Sequence, residues 1–268
     1  MSENHYKYQF SGILVDHRRF DGKRVVNYMH SHNTYELLYF LTGDFVHGIE
    51  DRRYKLSKHD LVIVRPNDYH YIQINPTTPY ERYDILFDPG ELGIDNIHLL
   101  SEHIDVVRCQ NQPMITDLFR KIDYYSQHLE GEDLRNVLVL LIKELFYLLS
   151  IREDVKNDLH PEGIHPIVSK ALAEINHNLC SIKSIDEVAD KLFVSKGYLF
   201  RMFKRELQTT PHKYIAEKRL NMAQNLLLQG QSPTQVYQAC GFNDYTAFYR
   251  SYVKFFGCSP SQQTELHP

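Results

Sequence analysis

Tryptophan is absent from this 268-residue chain and cysteine is scarce, with Cys109, Cys180, Cys240 and Cys258 far apart and no C-x-x-C pair among them. That spacing argues against a disulfide framework and against a zinc knuckle, and leaves the cysteines as small apolar residues. No run of about eighteen uncharged apolar residues, the length that crosses a bilayer, occurs; the most apolar stretch, Val137 to Leu149, is broken by Lys143 and Glu144. The opening residues, Met1-Ser-Glu-Asn-His-Tyr-Lys-Tyr, lack a basic segment followed by an apolar one, so a cytoplasmic protein with no membrane partner is expected. What is present, 43% hydrophobic and 24% charged residues, is the balance of a folded soluble chain.

The net charge of −4 hides an asymmetry. Residues 1–164 carry 18 Lys+Arg against 26 Asp+Glu, net −8, whereas residues 165–268 carry 12 against 8, net +4. The basic C-terminal part is compatible with a polyanion partner, and equally with an ordinary solvated surface.

Three patterns follow one another. From Tyr8 to Phe87, short runs rich in Val, Ile, Tyr and Phe are separated at about ten-residue intervals by Gly43-Asp44, Glu50-Asp51, Pro66-Asn67-Asp68 and Asn75-Pro76, which predicts an all-β sandwich or barrel. From Pro113 the period turns helical. Ile115, Leu118, Phe119, Ile122 and Leu129 form one segment, and Leu134, Val137, Leu138, Leu141, Leu145 and Leu148 form an apolar stripe on a second. That stripe suits packing on the β unit or a homodimer seam. The polar stretch Asp154 to Gly163 reads as a linker.

Beyond it the chain repeats itself. Ser184-Ile-Asp-Glu187 and Ser232-Pro-Thr-Gln235 are capping boxes 48 residues apart. Each opens a short helix, ending at Phe193-Val194-Ser195 and at Gly241-Phe242-Asn243. Ser195 and Asn243 are the expected caps of second helices, in which Leu199-x-Arg201-x-Phe203 and Phe248-x-Arg250-x-Tyr252 match at an offset of 49. Helix, short turn, helix is the helix-turn-helix pattern, whose second helix enters the DNA major groove. A helix from Pro211 to about Gln229 joins the copies. The helical period leaves Lys196, Gly197, Phe200, Arg201, Lys204 and Arg205 on the DNA side of the first copy, and Tyr245, Thr246, Tyr249 and Arg250 on that of the second. Arginine pairs with guanine edges while lysine positions the protein on phosphate, so Arg201 and Arg250 are the expected specificity residues.

Ile185-Asp-Glu-Val-Ala-Asp-Lys-Leu, Ser195-Lys-x-Tyr-Leu-x-Arg-x-Phe-Lys204 and Gly241-Phe-Asn-Asp…Phe-x-Arg250…Gly257-x-Ser-Pro260 resemble the AraC/XylS family of bacterial regulators over about residues 165–263. The resemblance implies a monomer that engages two neighbouring grooves near promoters, with an N-terminal domain that senses a small molecule or dimerises. Tyr237 stands where the family has a small Ala, and Gln208 where it has Gly. The second copy is therefore expected to be the weaker reader, with Arg201 contributing more specificity than Arg250.

His30-Ser-His32-Asn-Thr-Tyr-Glu36 and Pro66-Asn-Asp-Tyr-His70 resemble the two motifs of a cupin barrel over about residues 8–88. On an extended strand, positions 30, 32 and 36 share parity and face the interior, where His70 can join them. Three imidazoles and a carboxylate suit Zn, Fe, Ni or Mn. Three readings stay open: a metal site of His30, His32, Glu36 and His70; a metal-free effector pocket of the same residues with Tyr39; and structural histidines at the barrel mouth. The metal-free pocket is preferred and no cofactor is expected, because family regulators commonly hold no ion and Asp68 and His59 replace the glycines of the metal pattern. Tyr39, Phe40, Tyr69, Tyr71 and Tyr83 suit stacking on a sugar or planar ligand, or plain core.

The expectation is a multi-domain chain: a cupin-like β-barrel effector domain (1–110), two dimerisation-type helices (111–153), a linker (154–163) and an all-α tandem helix-turn-helix domain (164–268). Its expected partners are double-stranded DNA, a small-molecule effector, a second copy of itself and RNA polymerase. The alternative of another class is a metal-dependent cupin enzyme with an appended helical domain; no nucleophile and base constellation or phosphate-cradling loop supports it.

Overall fold

The computed structural model describes residues 6–20, 29–75, 78–95, 97, 104–151 and 161–265. The N-terminal half is two antiparallel sheets. Strands β1 (Tyr6–Phe10), β2 (Ile13–Phe20), β3 (Tyr35–Thr42), β6 (Asp60–Val64), β8 (Tyr80–Phe87) and β9 (Val106–Arg108) form one, in the order β1-β2-β8-β3-β6-β9. Strands β4 (Phe45–Ile49), β5 (Arg52–Lys55), β7 (His70–Ile74) and β10 (Glu162–Gly163) form the other, ordered β10-β5-β4-β7. A single capped turn of helix, α1 (Pro89–Leu92), follows β8.

Strand β3 is buried on both faces, and its alternation divides two cores. Leu38 and Phe40 join Phe45, Ile49, Val62, Val64 and Tyr80 between the sheets. Leu37 and Tyr39 point the other way, toward helices α2 (Pro113–His128) and α3 (Gly131–Ser150). The predicted stripe of α3 is used there: Leu134, Leu138, Leu141 and Leu145 are buried against the large sheet. At about 1.5–3 kcal/mol for each fully buried aliphatic side chain, this packing fixes α3 to the β-domain. Leu140, Tyr147 and Ile151 lie on the exposed side of α3 or at its end.

Residues 154–160 of the expected linker lie outside the described residues, and its end is not a free tether. Glu162 and Gly163 pair with Arg53 and Arg52 as the edge strand of the second sheet. A helical half follows: α4 (Pro166–His177), α5 (Ile185–Lys191), α6 (Lys196–Leu207), α7 (Pro211–Leu228), α8 (Pro233–Ala239), α9 (Tyr245–Phe256) and α10 (Pro260–Glu265). Leu199, Met202 and Phe203 of α6 close one core with α4 and α5; Leu220, Ala223 and Leu227 of α7 close a second with Val236, Phe248 and Tyr252. Among the described residues no helix is long and apolar enough to cross a membrane.

The two halves share a polar seam along α7. Tyr69 Oη donates to Glu217 Oε2 at 2.7 Å, and Asn221 Nδ2 donates to Ser31 Oγ at 2.6 Å. Glu50 is the hub: its carboxylate accepts from Lys218 Nζ (2.5 Å), the Tyr69 amide (3.0 Å) and Tyr214 Oη (2.7 Å). Its backbone sits in the left-handed region, φ 53°, a conformation costly for a side-chain-bearing residue and held here by those three bonds. Arg53 adds a bridge to Glu206 at the end of α6, 2.9 Å. The first core also includes Met29, Tyr69, Tyr71 and Ile164, so the β-domain packs on the first helical unit.

Candidate nucleic-acid interface and barrel cavity

Each helix-turn-helix copy begins with a cap. Ser184 Oγ accepts from the Glu187 amide at 3.3 Å, while Glu187 reaches back to the Lys183 amide. Gln235 Oε1 accepts from the Ser232 amide at 3.4 Å and from its hydroxyl at 2.8 Å. Ser195 caps α6 as expected, accepting from the Tyr198 amide. The cap of α9 is Asp244, which accepts from the Ala247 amide at 2.7 Å, and not Asn243. The second turn is thus one residue longer than the first, which explains offsets of 48 before the turn and 49 after it.

Two left-handed positions recur in both copies. Gly241 (φ 78°) and Gly257 (φ 75°) occupy them in the second copy, whereas Phe193 (φ 56°) and Gln208 (φ 54°) occupy them in the first. Phe193 is 95% exposed, so its ring lies in solvent.

On α6, Gly197, Arg201 and Lys204 share an exposed face, and the Arg201 guanidinium lies 5.9 Å from the Tyr198 ring centroid. Lys196 is exposed and paired with Asp186 at 2.8 Å; Arg205 is exposed and paired with Glu206 at 2.8 Å. Phe200 departs from the expectation: it is half-buried against the first core, edge-on to His212. In the second copy Thr246, Tyr249 and Arg250 are exposed. Tyr245 is half-buried, edge-on to Tyr237 at 5.7 Å and 6.0 Å from Phe248. Tyr237 thus stands between α8 and α9, its ring against Tyr245 and 6.5 Å from Phe248.

In the β-domain, His30, His32, Glu36 and His70 line one cavity of about 450 Å³ with Arg18, Tyr80, Arg82, Asp84 and apolar Leu14, Ile72, Ile74 and Leu86. They meet only in part through shared strand parity, since β3 starts at Tyr35 and His30 is brought in by a two-way backbone bridge to His70, 3.0 and 2.9 Å. Glu36 Oε2 stands 2.9 Å from His70 Nε2 and 3.4 Å from His32 Nε2. Burial pushes the Glu36 carboxyl up, but His70 and His32 outweigh it and hold it well below the usual carboxylate range. Burial lowers His70, and Glu36 more than restores it, so the imidazole is raised. Asp84, at 2.9 Å from Arg82, is pushed up to about 8 by burial and by the Glu36 charge.

Tyr39 does not line this cavity. It lies on the opposite face of β3, stacked on Phe119 at 3.9 Å, with its hydroxyl 2.8 Å from His59 Nδ1. Phe40 and Tyr83 are core, Tyr71 bonds Arg53, and Tyr69 joins the α7 seam. Sequence reasoning missed Arg82 and Asp84, although the parity of β8 that sends Tyr80 inward also sends 82, 84 and 86. It also missed His47, which is fully buried with neither ring nitrogen hydrogen-bonded and its ring parallel to His70 at 6.0 Å.

Residues 188–265 match the model of a helix-turn-helix domain, and residues 11–145, half of the chain, match that of the AraC-like ligand binding domain. Among curated relatives, the probable transcriptional regulator LumQ of Photobacterium leiognathi is 32% identical over 30% of this chain and only 32% of its own length. The transcriptional activator RhaR of Escherichia coli is 23% identical over 89% of this chain and 87% of its own. Among solved structures, ToxT of Vibrio cholerae O395 covers 96% of this chain and 99% of its own at 10% identity, with a TM-score of 0.40. On the strength of the two domain matches, and of the capped tandem motifs and the lined cavity they fall on, the chain belongs to the AraC family.

Proposed function

We propose that this protein is a sequence-specific DNA-binding transcription regulator whose N-terminal domain binds a small-molecule effector. The observation that carries the reading is the pair of capped helix-turn-helix units, each with an exposed arginine on its second helix, joined by the 18-residue α7. At about 1.5 Å per residue α7 spans roughly 27 Å, near the ~34 Å between successive major grooves on one DNA face. Gly197, Arg201 and Lys204 read one groove; Thr246, Tyr249 and Arg250 read the next. Lys196 and Arg205 meet phosphate after exchanging their intramolecular partners, and Phe200 and Tyr245 support these faces from behind.

The effector occupies the cavity of His30, His32, Glu36 and His70. Arg82 and Asp84 offer a paired donor and acceptor beside apolar Leu14 and Leu86, a lining that suits a small hydroxylated molecule such as a sugar. The proposed units are a cupin-like effector domain with the α2 and α3 helices appended (1–153), a connection (154–163) and the DNA unit (164–268). A homodimer forms through the outer side of α3, where Leu140 and Tyr147 are 63% and 59% exposed, and RNA polymerase is the further partner in a cytoplasmic setting. Fluorescence anisotropy with duplexes selected from a random pool tests the function: tight, salt-sensitive, sequence-dependent binding is expected, whereas turnover of a substrate without such binding favours an enzyme.

A further inference from the structure

Cys180 and Cys240, far apart in sequence, meet where the two helix-turn-helix units touch. Cys180 lies in the loop between α4 and α5, and Cys240 is the C-cap of α8, just before the turn that leads to α9. An added Cβ on Gly241 would stand 2.3 Å from the Cys180 carbonyl oxygen and 2.9 Å from its Cα, so the two backbones are in contact. With neighbouring Cα atoms about 3.8 Å apart along the chain, the Cys180 and Cys240 Cα atoms are held within about 8 Å, close to the roughly 4.4–6.8 Å that a disulfide spans.

The two thiols are suited to successive steps. Cys180 is half-buried, its Sγ donating at 3.5 Å to the Sδ of Met222, which is itself exposed on α7. Cys240 is buried in the second core beside Val236 and Phe248. Burial, with a smaller push from Cys180, raises its thiol to about 12. A buried thiol of that kind is inert toward an oxidant in solvent and reacts with a sulfur brought to it. Arg219 of α7 fixes the loop between them, its guanidinium donating to the Leu179 and Ile182 carbonyl oxygens at 2.8 and 2.6 Å.

We propose that Cys180 and Cys240 are a redox pair that hydrogen peroxide closes to a disulfide, and that closure moves the second reading head relative to the first. The Cys180 thiolate attacks one peroxide oxygen, the O–O bond breaks, and the leaving hydroxide takes up a proton, which gives a sulfenic acid and one water. The Cys240 sulfur then attacks the Cys180 sulfur. The S–O bond breaks and the second water leaves with the Cys240 proton, so two thiols lose two electrons and one peroxide becomes two waters. Closure takes the Cys180 sulfur off Met222 and draws the turn at 240–241 toward the first unit. That turn leads directly to Asp244, the cap of α9, so the second recognition helix moves with it, while Arg219 holds the loop of Cys180 to α7. The effect on DNA rests on the regulator reading of the chain; the bond itself does not.

The test treats the full chain with hydrogen peroxide, blocks remaining thiols by alkylation and maps the peptides by mass spectrometry. One bond per chain joining the Cys180 and Cys240 peptides is expected, opened again by dithiothreitol and absent from Cys180→Ser, whose thermal unfolding confirms a folded chain. Amide exchange over residues 240–246 changes on oxidation of the parent chain and not of Cys180→Ser. On duplexes selected from a random pool the oxidised parent loses at least tenfold in affinity, and the loss disappears when the block read by Arg250 is scrambled. Cys180 oxidised while Cys240 stays free, or a bond to Cys109, Cys258 or a second chain, overturns the pair. The bond with unchanged exchange over 240–246, or with unchanged affinity for the selected duplex, overturns the coupling. A reduced chain that prefers no duplex sequence contradicts the regulator reading alone, and peptide mapping and exchange still decide the pair.

Discussion

Asn221 Nδ2 donates to Ser31 Oγ at 2.6 Å, joining the helix that links the two DNA-reading units to the loop that carries two cavity histidines. One turn before it on α7, Lys218 and Glu217 bond Glu50 and Tyr69 of the β-domain. The sensor thus rests on the element that sets the distance between the reading heads.

Removing the hub of that seam is expected to uncouple the halves. Glu50→Ala leaves Lys218, Tyr214 and the Tyr69 amide without their shared acceptor, at a cost of about 1.5–3 kcal/mol for bonds to a charged group. Denaturant unfolding followed separately in each half checks it. The parent chain is expected to unfold in one transition and the variant in two; coincident transitions in the variant count against a seam centred on Glu50.

The left-handed positions make an opposed pair of predictions. Phe193→Gly relieves φ 56° at a residue 95% exposed, so it is expected to stabilise the helical half by up to about 1 kcal/mol. Gly241→Ala has the reverse effect, because φ is 78° and a Cβ there would stand 2.3 Å from the Cys180 carbonyl oxygen. A loss of about 2 kcal/mol or more follows from the backbone clash and the strained φ together. Melting curves of the two variants, shifted in opposite directions, are the check.

His17 gives the β-domain a pH dependence. Its ring stacks on Tyr83 and its nitrogens lie 3.1 Å from Asp123 and 3.0 Å from Glu81. Burial lowers its pKa, but the two carboxylates outweigh burial and raise it above 6.5. A raised histidine contributes stability that is complete below its unfolded value and is lost as pH rises through its folded value. Asp123 is lowered despite burial, by hydrogen bonds from His17, Tyr6 and Tyr83, so its contribution is lost as pH falls below 3.8. Stability of the N-terminal half is therefore expected to decline from about pH 6.5 upward, and His17→Gln to flatten that decline. An unchanged slope in the variant would assign the dependence elsewhere.

Much of this was legible in the residues because it depended on local chemistry. Ser184, Ser195 and Ser232 announce helix starts through their own hydroxyls, and the inward trio Leu199, Met202 and Phe203 follows from helical period alone. What the sequence could not show depended on partners distant along the chain. Tyr39 shares a strand with Glu36 but has the other parity, and only the position of Phe119 reveals that its face belongs to the helices. The turn residue Glu50 became a hub through α7, some 164 to 168 positions away. Asn243 and Asp244 are both competent caps, and the one-residue-longer second turn places Asp244 at the cap.

The central claim is that the two heads read DNA together, with the first the stronger. Selection of duplexes from a random pool by the full chain, followed by affinity measurements on Arg201→Ala and Arg250→Ala, tests it most directly. Two conserved blocks about 10 base pairs apart are expected, with a loss of about 1–3 kcal/mol at the block read by Arg201 and a smaller loss at the other for Arg250→Ala, where Tyr245 is packed against Tyr237. A pool that converges on no sequence, or equal losses for the two variants, would contradict it.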